Sequence, residues 1–439
     1  MNVRELALAA LDRVMRDKSY SNIAVDTVIE RESLSGKDRS LFCVLVYGVI
    51  EKKITLDYLI DALSNIPNQD IEPSTRNLLR MGLYQLRFLD RVPDHAAVSE
   101  TVALAPRRSR GFVNAILRSY TRQKDTLTLP KKEGGASRYL SVAYSYPEAL
   151  CDKLTREFGT EKTEEILAAF NRVPALTLRT NTLKMSRDAL LASLRAQGID
   201  ASPTEYSPNG IRIEGASLFE IGLDNGLFFV QDEASQIASL ALGAKPVDTV
   251  YDICACPGSK SFGAALDMEN KGKIISFDIH ENKLSLVKKS AERLGITILK
   301  TKARDGRDFD ESLFESADRV ICDVPCSGFG VMAKKPEIRY KELSSCETLP
   351  KIQYDILNNA CRYVKKGGTL VYSTCTIFKE ENEDNVRRFL AEHPDFSPVP
   401  FEAGALSAEN GMLTLLPSDH GTDGFFIAKL RKEESNDGK

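Results

Sequence analysis

Apolar residues recur at helical spacing over roughly the first 125 positions, which predicts an all-α front end. Residues 3–15 set Leu6, Ala9/Ala10 and Val14 along one stripe, and 40–60 is a long apolar run. Residues 75–89 align Leu78, Leu79, Gly82, Leu83 and Leu86. Val92-Pro93-Asp94-His95 opens a further helix, and the stretch from Phe112 begins the last one.

The period then changes. Lys131 to Ser137 is a polar, glycine-bearing linker. Helices follow after Pro147 and over 161–171, and Leu176 and Leu178 alternate with Thr177 and Arg179 as a strand. Ser186 caps a helix that Gly198 stops, and strands are expected near 201–206 and 210–213. From Gly226 onward, strands at 227–230, 247–253, 273–278, 296–301, 318–324 and 368–373 alternate with helices at 259–267, 282–294, 349–364 and 382–392. Such alternation predicts a parallel, doubly wound sheet with right-handed crossovers. Residues 411–416 and 424–430 read as an antiparallel hairpin that closes it. The organisation is multidomain: 1–130 an all-α bundle, 131–225 a linker plus a small α+β module, 226–432 an α/β Rossmann-like domain, and 433–439 a mobile tail.

Chemistry gathers at strand ends, where open α/β sheets bind their ligands. Residues 319–322 are apolar on both faces, and Pro325 ends the ladder because it has no N–H to donate. Asp323 and Cys326 are thereby left at the carboxyl end. Cys375 ends the next predicted strand in the same way, so the two thiols should face one crevice. Farther up the chain, Asp252, Cys254, Ala255, Cys256, Pro257, Gly258, Ser259 and Lys260 form a strand, a small-residue turn and a helix start, which lets a ligand approach the backbone. Asp278 ends the second strand, 20 residues past Gly258, where a carboxylate accepts from ribose hydroxyls. Asp305 follows the third strand and is placed to accept from an adenine amine. Lys260-Ser261 lacks the glycines of a P-loop, and 328–333 has no long helix after it, so neither is a phosphate cradle.

A thiolate beside a methyl donor suits one reaction. Carbon 5 of a pyrimidine becomes nucleophilic once a thiolate adds to carbon 6, an acid such as Asp323 holds the N3/N4 edge, and a base then removes the carbon-5 proton.

Composition changes this picture little. The net charge is −3 over 439 residues, but the first 141 carry 22 Lys+Arg against 17 Asp+Glu. Arg107, Arg108 and Arg110 form a basic corner able to meet RNA phosphates, although a solvated surface explains the asymmetry as well. The first turn is charged and no run reaches membrane length, so a membrane partner is not expected. Nine cysteines, several in strand-like runs, indicate a reducing cytoplasm. Their spacing does not suit zinc, and no metal is expected.

Arg4 to Leu11, Ser35 to Arg39, Tyr47-Gly48 and above all Gly111 to Arg118 resemble the NusB-type helical domain, which implies RNA binding by this part. Asp323-Val324-Pro325-Cys326-Ser327-Gly328-Phe329-Gly330, Ser373-Thr374-Cys375-Thr376 with Glu380 to Glu383, Phe229 to Ser235, and Asp423-Gly424-Phe425-Phe426 resemble the Sun/Fmu (RsmB) ribosomal RNA cytosine-5 methyltransferases. The resemblance spans nearly the whole chain. It implies S-adenosyl-L-methionine as donor, a small RRM-like module, and 16S ribosomal RNA as substrate at the 967-type position. It makes Cys375 the nucleophile and Cys326 the aid to product release. It puts Asp252, residues 254–260, Asp278, Asp305 and Asp323 at the cofactor pocket. Cys256 and Ser259 replace the usual Ala and Gly, and Ala333 replaces a usual Arg, leaving Lys334 and Lys335 as RNA contacts there. A monomer is expected. The competing readings are a tRNA or DNA cytosine methyltransferase, in which the thiol roles could swap, and a non-catalytic RNA-binding assembly factor.

Overall fold

The computed structural model describes residues 2–17, 20–215, 218–222 and 225–434. Contacts divide it into two units, Met1–Arg172 with Met332–Leu343, and Val173–Val331 with Ser344–Lys439.

The first unit is helical, with ten α-helices among the described residues. Its core takes Leu6, Ala10, Leu11 and Val14 from Val3–Asp17, Leu45, Val46 and Val49 from Gly36–Glu51, and Leu78, Leu79 and Leu83 from Pro73–Phe88. Each such Leu or Val contributes about 1.5–3 kcal/mol on burial. Ala9, expected on the stripe of the first helix, is exposed; Ala7 takes its place. The apolar run at 40–60 is two helices, Gly36–Glu51 and Lys53–Leu63, broken at Lys52. Ser21–Glu32 is a helix that the periodicity did not reveal.

By contacts, helices Ala136–Tyr144, Glu148–Phe158 and Thr160–Phe170 group with this unit. The reason is hydrogen bonding: Thr55 donates to the Val142 carbonyl at 2.6 Å, and Ser145 Oγ accepts from the Ile54 N–H at 3.0 Å. The segment 332–343 is also held here. Arg339, fully buried, donates to the Glu51 carbonyl at 3.0 Å and to Asn171 Oδ1 at 3.1 Å, and lies over the Tyr146 ring.

The second unit has two main sheets. Its strands are β1 (Leu176–Thr180), β2 (Asp200–Pro203), β3 (Gly210–Glu214), β4 (Phe228–Val230), β5 (Thr249–Asp252), β6 (Lys273–Asp278) and β7 (Leu299–Ala303). They continue as β8 (Ala317–Asp323), β9 (Val364–Thr374), β10 (Phe396–Pro398), β11 (Phe401–Ala403), β12 (Leu406–Ala408), β13 (Met412–Leu415) and β14 (Phe425–Lys432). The small sheet runs β2-β3-β1-β4 and is antiparallel throughout. β4 was expected to open the larger sheet; it pairs instead with β1, Leu178 opposite Val230. The helix that follows, Glu233–Leu242, is capped by Asp232, whose carboxylate accepts the Ala234 N–H at 2.9 Å.

The large sheet runs β10-β14-β9-β8-β5-β6-β7, with β13 beside β14. β5 to β9 are parallel, and β14 is antiparallel to β9 and to β13. The strand order reverses between β5 and β8, which makes the gap at their carboxyl ends the switch-point crevice of a doubly wound sheet. Glu433 is tied by its N–H to the Asp395 carbonyl at 2.8 Å, and the rest of the expected tail, from 435, lies outside the described residues. No helix among the described residues is long and apolar enough to cross a membrane, and no group of three His, Cys, Asp or Glu is placed to hold a metal.

Candidate active site

β8 and β9 are in register, Asp323 opposite Ser373, so their chains leave the sheet side by side. That register brings Cys326 Sγ within 3.1 Å of Cys375 Sγ. Both residues are half-buried. Three bonds lock the loops together: Ser327 Oγ with Thr376 Oγ1 at 2.8 Å, the Gly330 N–H to the Cys375 carbonyl at 2.9 Å, and the Gly424 N–H to the Gly330 carbonyl at 2.8 Å. Gly330 has no room for a side chain, since a Cβ there would sit 1.9 Å from the Gly424 carbonyl oxygen.

The two thiols shift each other's acidity in opposite directions. The hydrogen bond from Cys326 pulls the Cys375 thiol down, and that same contact, followed by burial, pushes Cys326 up. Lys260 adds to the pull on Cys375, while Asp323 and Asp423 oppose it. The contact thus sets the two sulfurs apart, Cys375 shifted toward the thiolate and Cys326 toward the protonated thiol. Asp323, at the end of β8, is gripped from two sides. Ser373 Oγ donates to Oδ1 at 2.9 Å and Lys260 Nζ to Oδ2 at 2.5 Å. Lys260 also reaches Ser235 Oγ at 3.3 Å and lies over the Phe425 ring.

Three further acids stand at the ends of β5, β6 and β7, along one rim. Asp252 is fully buried; Ser261 donates to its Oδ2 at 2.6 Å and shares a 2.7 Å bond with Ser276. Burial pushes the Asp252 carboxyl up to about 7, and its Oδ1 is buried without a partner. Asp278, half-buried, accepts the Cys256 N–H at 3.2 Å and the His280 N–H at 2.9 Å. Asp305 is gripped by Arg307, which donates to both of its oxygens and holds its pKa down. Between Asp252 and Lys260, Ala255 is tied to the Phe277 carbonyl at 2.8 Å and Gly258 takes a φ of +105°, which a side chain would resist. The rim offers acceptors and small residues, an arrangement that fits the hydrogen-bond donors of ribose hydroxyls and amines.

Comparison with known proteins points the same way as this geometry. The profile described as 16S rRNA methyltransferase RsmB/F matches residues 239–431, that of the NusB family 1–122, and that of the RsmF/B-like ferredoxin-like domain 146–219. The probable ribosomal RNA small subunit methyltransferase B of Bacillus subtilis is 38% identical over 98% of this chain and 99% of its own. The chain belongs to the RsmB/F family. The crystal structure of PH0851 is 28% identical, covers 98% of this chain and 99% of its own, and superposes with a TM-score of 0.79. A methyltransferase homolog protein from Pyrococcus horikoshii, 27% identical, covers 67% of this chain and 97% of its own at a TM-score of 0.59.

In this RsmB/F chain, Arg107, Arg108 and Arg110 are exposed at the start of helix Arg110–Gln123, with Arg110 donating to the Ala105 carbonyl at 3.3 Å. Lys334 is half-buried and Lys335 exposed over the Tyr20 ring, both in the segment that belongs to the helical unit. Sequence reasoning grouped Lys260 with the cofactor turn and missed where its ammonium goes. It also missed Ser261 and Ser276 under Asp252, and the buried Gln353, Glu381 and Asn382 behind the thiols. Glu381 and Asn382 were visible only as part of a motif; nothing local showed that they face Cys326 and Cys375.

Proposed function

We propose that this RsmB/F methyltransferase acts on carbon 5 of a cytosine in 16S rRNA, at the 967-type position, through a covalent bond between Cys375 and carbon 6. The observation that carries the reading is the 3.1 Å contact between Cys326 and Cys375, within reach of the Asp323 and Lys260 charges. Cys375, whose thiol the Cys326 contact and the Lys260 charge pull down, is the nucleophile. Its addition to carbon 6 raises electron density at carbon 5. Asp323, fixed by Lys260 and Ser373, holds the N3/N4 edge of the ring, and the Lys260 ammonium beside it offsets the negative charge that addition puts on the ring. Once a base removes the carbon-5 proton, the Cys326 S–H stabilises the departing Cys375 thiolate, which is how it aids release. The target base leaves its stack to reach the crevice.

S-adenosylmethionine, when bound, supplies an electrophilic methyl carbon. Asp278 would hold its ribose and Asp305 its adenine, with residues 254–260 close beneath it and buried Asp252 buttressing that turn through Ser261. Arg107, Arg108, Arg110, Lys334 and Lys335 would meet RNA phosphates from the helical unit.

The test is mutational, with unmodified 16S rRNA and the full-length protein. Cys326→Ala should accumulate a covalent RNA adduct, while Cys375→Ala should form none. The opposite pattern would exchange the two roles; adducts from neither would end the proposal.

A further inference from the structure

Just past Cys375 the chain makes a 3-10 turn over Lys379–Glu381, and the next residue, Asn382, is wholly buried. Glu381, 2% exposed, faces the Cys326 loop. Its Oε2 accepts the Ser327 N–H at 2.9 Å and the Gln353 amide at 2.7 Å. The same Gln353 amide donates to the Pro325 carbonyl at 3.0 Å. The peptide groups on both sides of Cys326 are thus held by one Gln–Glu pair. Asn382 does the same for the other thiol. Its Nδ2 donates to the Thr376 carbonyl at 3.0 Å, and its Oδ1 accepts from Thr374 Oγ1 at 2.5 Å, one residue on either side of Cys375. The turn itself is held by Tyr372, whose hydroxyl donates to the Glu381 carbonyl at 2.5 Å.

We propose that Glu381 and Asn382 are positioning residues: one adjacent pair fixes the orientation of both thiols, Glu381 through Cys326 and Asn382 through Cys375. The proposal rests on the thiol roles assigned above. A packing role alone would not require a carboxylate. Among the described residues no Lys or Arg ion pair with Glu381 is seen, and two N–H donors satisfy its buried carboxyl oxygen. Its field falls on Cys326 and favours the protonated thiol there. The same residue would therefore aim Cys326 and keep it a hydrogen-bond donor to the Cys375 sulfur.

Three variants of the full-length chain test this: Glu381→Gln, near-isosteric and uncharged; Glu381→Asp, charged but shorter; and Asn382→Ala. Iodoacetamide labelling of Cys326 and Cys375 as a function of pH, quantified peptide by peptide, reads the thiols without needing turnover. Covalent adduct with 16S rRNA reads the chemistry. Glu381→Gln should move the Cys326 labelling midpoint down and raise the adduct level, more so as pH rises. Glu381→Asp should leave that midpoint near wild type yet slow release about ten- to a hundredfold. Asn382→Ala should slow adduct formation with RNA affinity unchanged. A folded Glu381→Gln with the wild-type labelling profile would overturn the proposal, as would Glu381→Asp with wild-type release. If the wild-type chain forms no adduct with any RNA, the thiol roles fall, while the labelling profiles still decide whether Glu381 governs Cys326.

Discussion

Lys260 donates to Asp323 over 2.5 Å from a side chain that is 7% exposed, on a carboxylate side chain that is 29% exposed. Breaking a buried pair strands the remaining charge, at about 3–5 kcal/mol when burial is complete. The partial exposure of Asp323 lowers that to about 2–3 kcal/mol. Lys260→Met should lose this much in denaturant melts, and the Cys375 labelling midpoint should rise because the cation pulling it down is gone. A variant as stable as wild type, with Cys375 unmoved, would show that the pair matters to neither.

Asp252 gives stability an unusual pH dependence. Burial raises its carboxyl from about 3.9 unfolded to about 7 folded. Between those values the folded chain holds a proton that the unfolded chain has released, so this group's contribution falls as pH rises through the window and levels off above about 7. The full loss is on the order of 4 kcal/mol. Asp252→Asn removes it. The variant-minus-wild-type difference in unfolding free energy should climb from pH 4 to 7 and then flatten, as followed by melts at each pH. A difference independent of pH would mean that Asp252 titrates normally.

Gly330 and Gly111 should respond oppositely to alanine. A Cβ at Gly330 meets the Gly424 carbonyl at 1.9 Å and the Cys375 carbonyl at 2.7 Å, both backbone, so the thiol loop must shift. A Cβ at Gly111, in the first turn of a helix, meets nothing within 4 Å. Gly330→Ala should cost at least about 2 kcal/mol and slow Cys375 adduct formation. Gly111→Ala should gain up to about 0.5–1 kcal/mol. Paired melting curves check both signs.

The basic corner is testable through salt. Each phosphate contact contributes about 0.7–0.9 to the slope of log affinity against log salt. Changing Arg107, Arg108 and Arg110 together to alanine should flatten the slope for 16S rRNA by about 2, in filter binding across a salt series. A slope equal to wild type would remove these arginines from the RNA surface.

Much of the architecture was legible because it follows local periods. The helix Ser259–Asp267 and the parallel strands β5 to β9 are written in apolar runs, turn residues and caps. The helix Ser21–Glu32 escaped because Ala24, Val25 and Val28 make a thin stripe among acids. β4 was misassigned for a different reason. Phe228, Phe229 and Val230 look like the opening of any βα unit, and only pairing with β1, some fifty residues upstream, puts them in the small sheet. Likewise, no local feature told that 332–343 would be held by Glu51 and Asn171 through Arg339.

The order of residues alone determined that Cys326 and Cys375 each end a buried strand, and that Asp252, Asp278 and Asp305 follow successive ones, because covalent geometry sets those positions within a few residues. Tertiary structure decided that the two sulfurs touch, that Lys260 turns its ammonium to Asp323, and that Glu381 and Asn382 stand behind the thiols. Those relationships depend on which strand lies beside which and in what register. Strand pairing and side-chain packing between distant segments settle that, and no neighbouring residue records it.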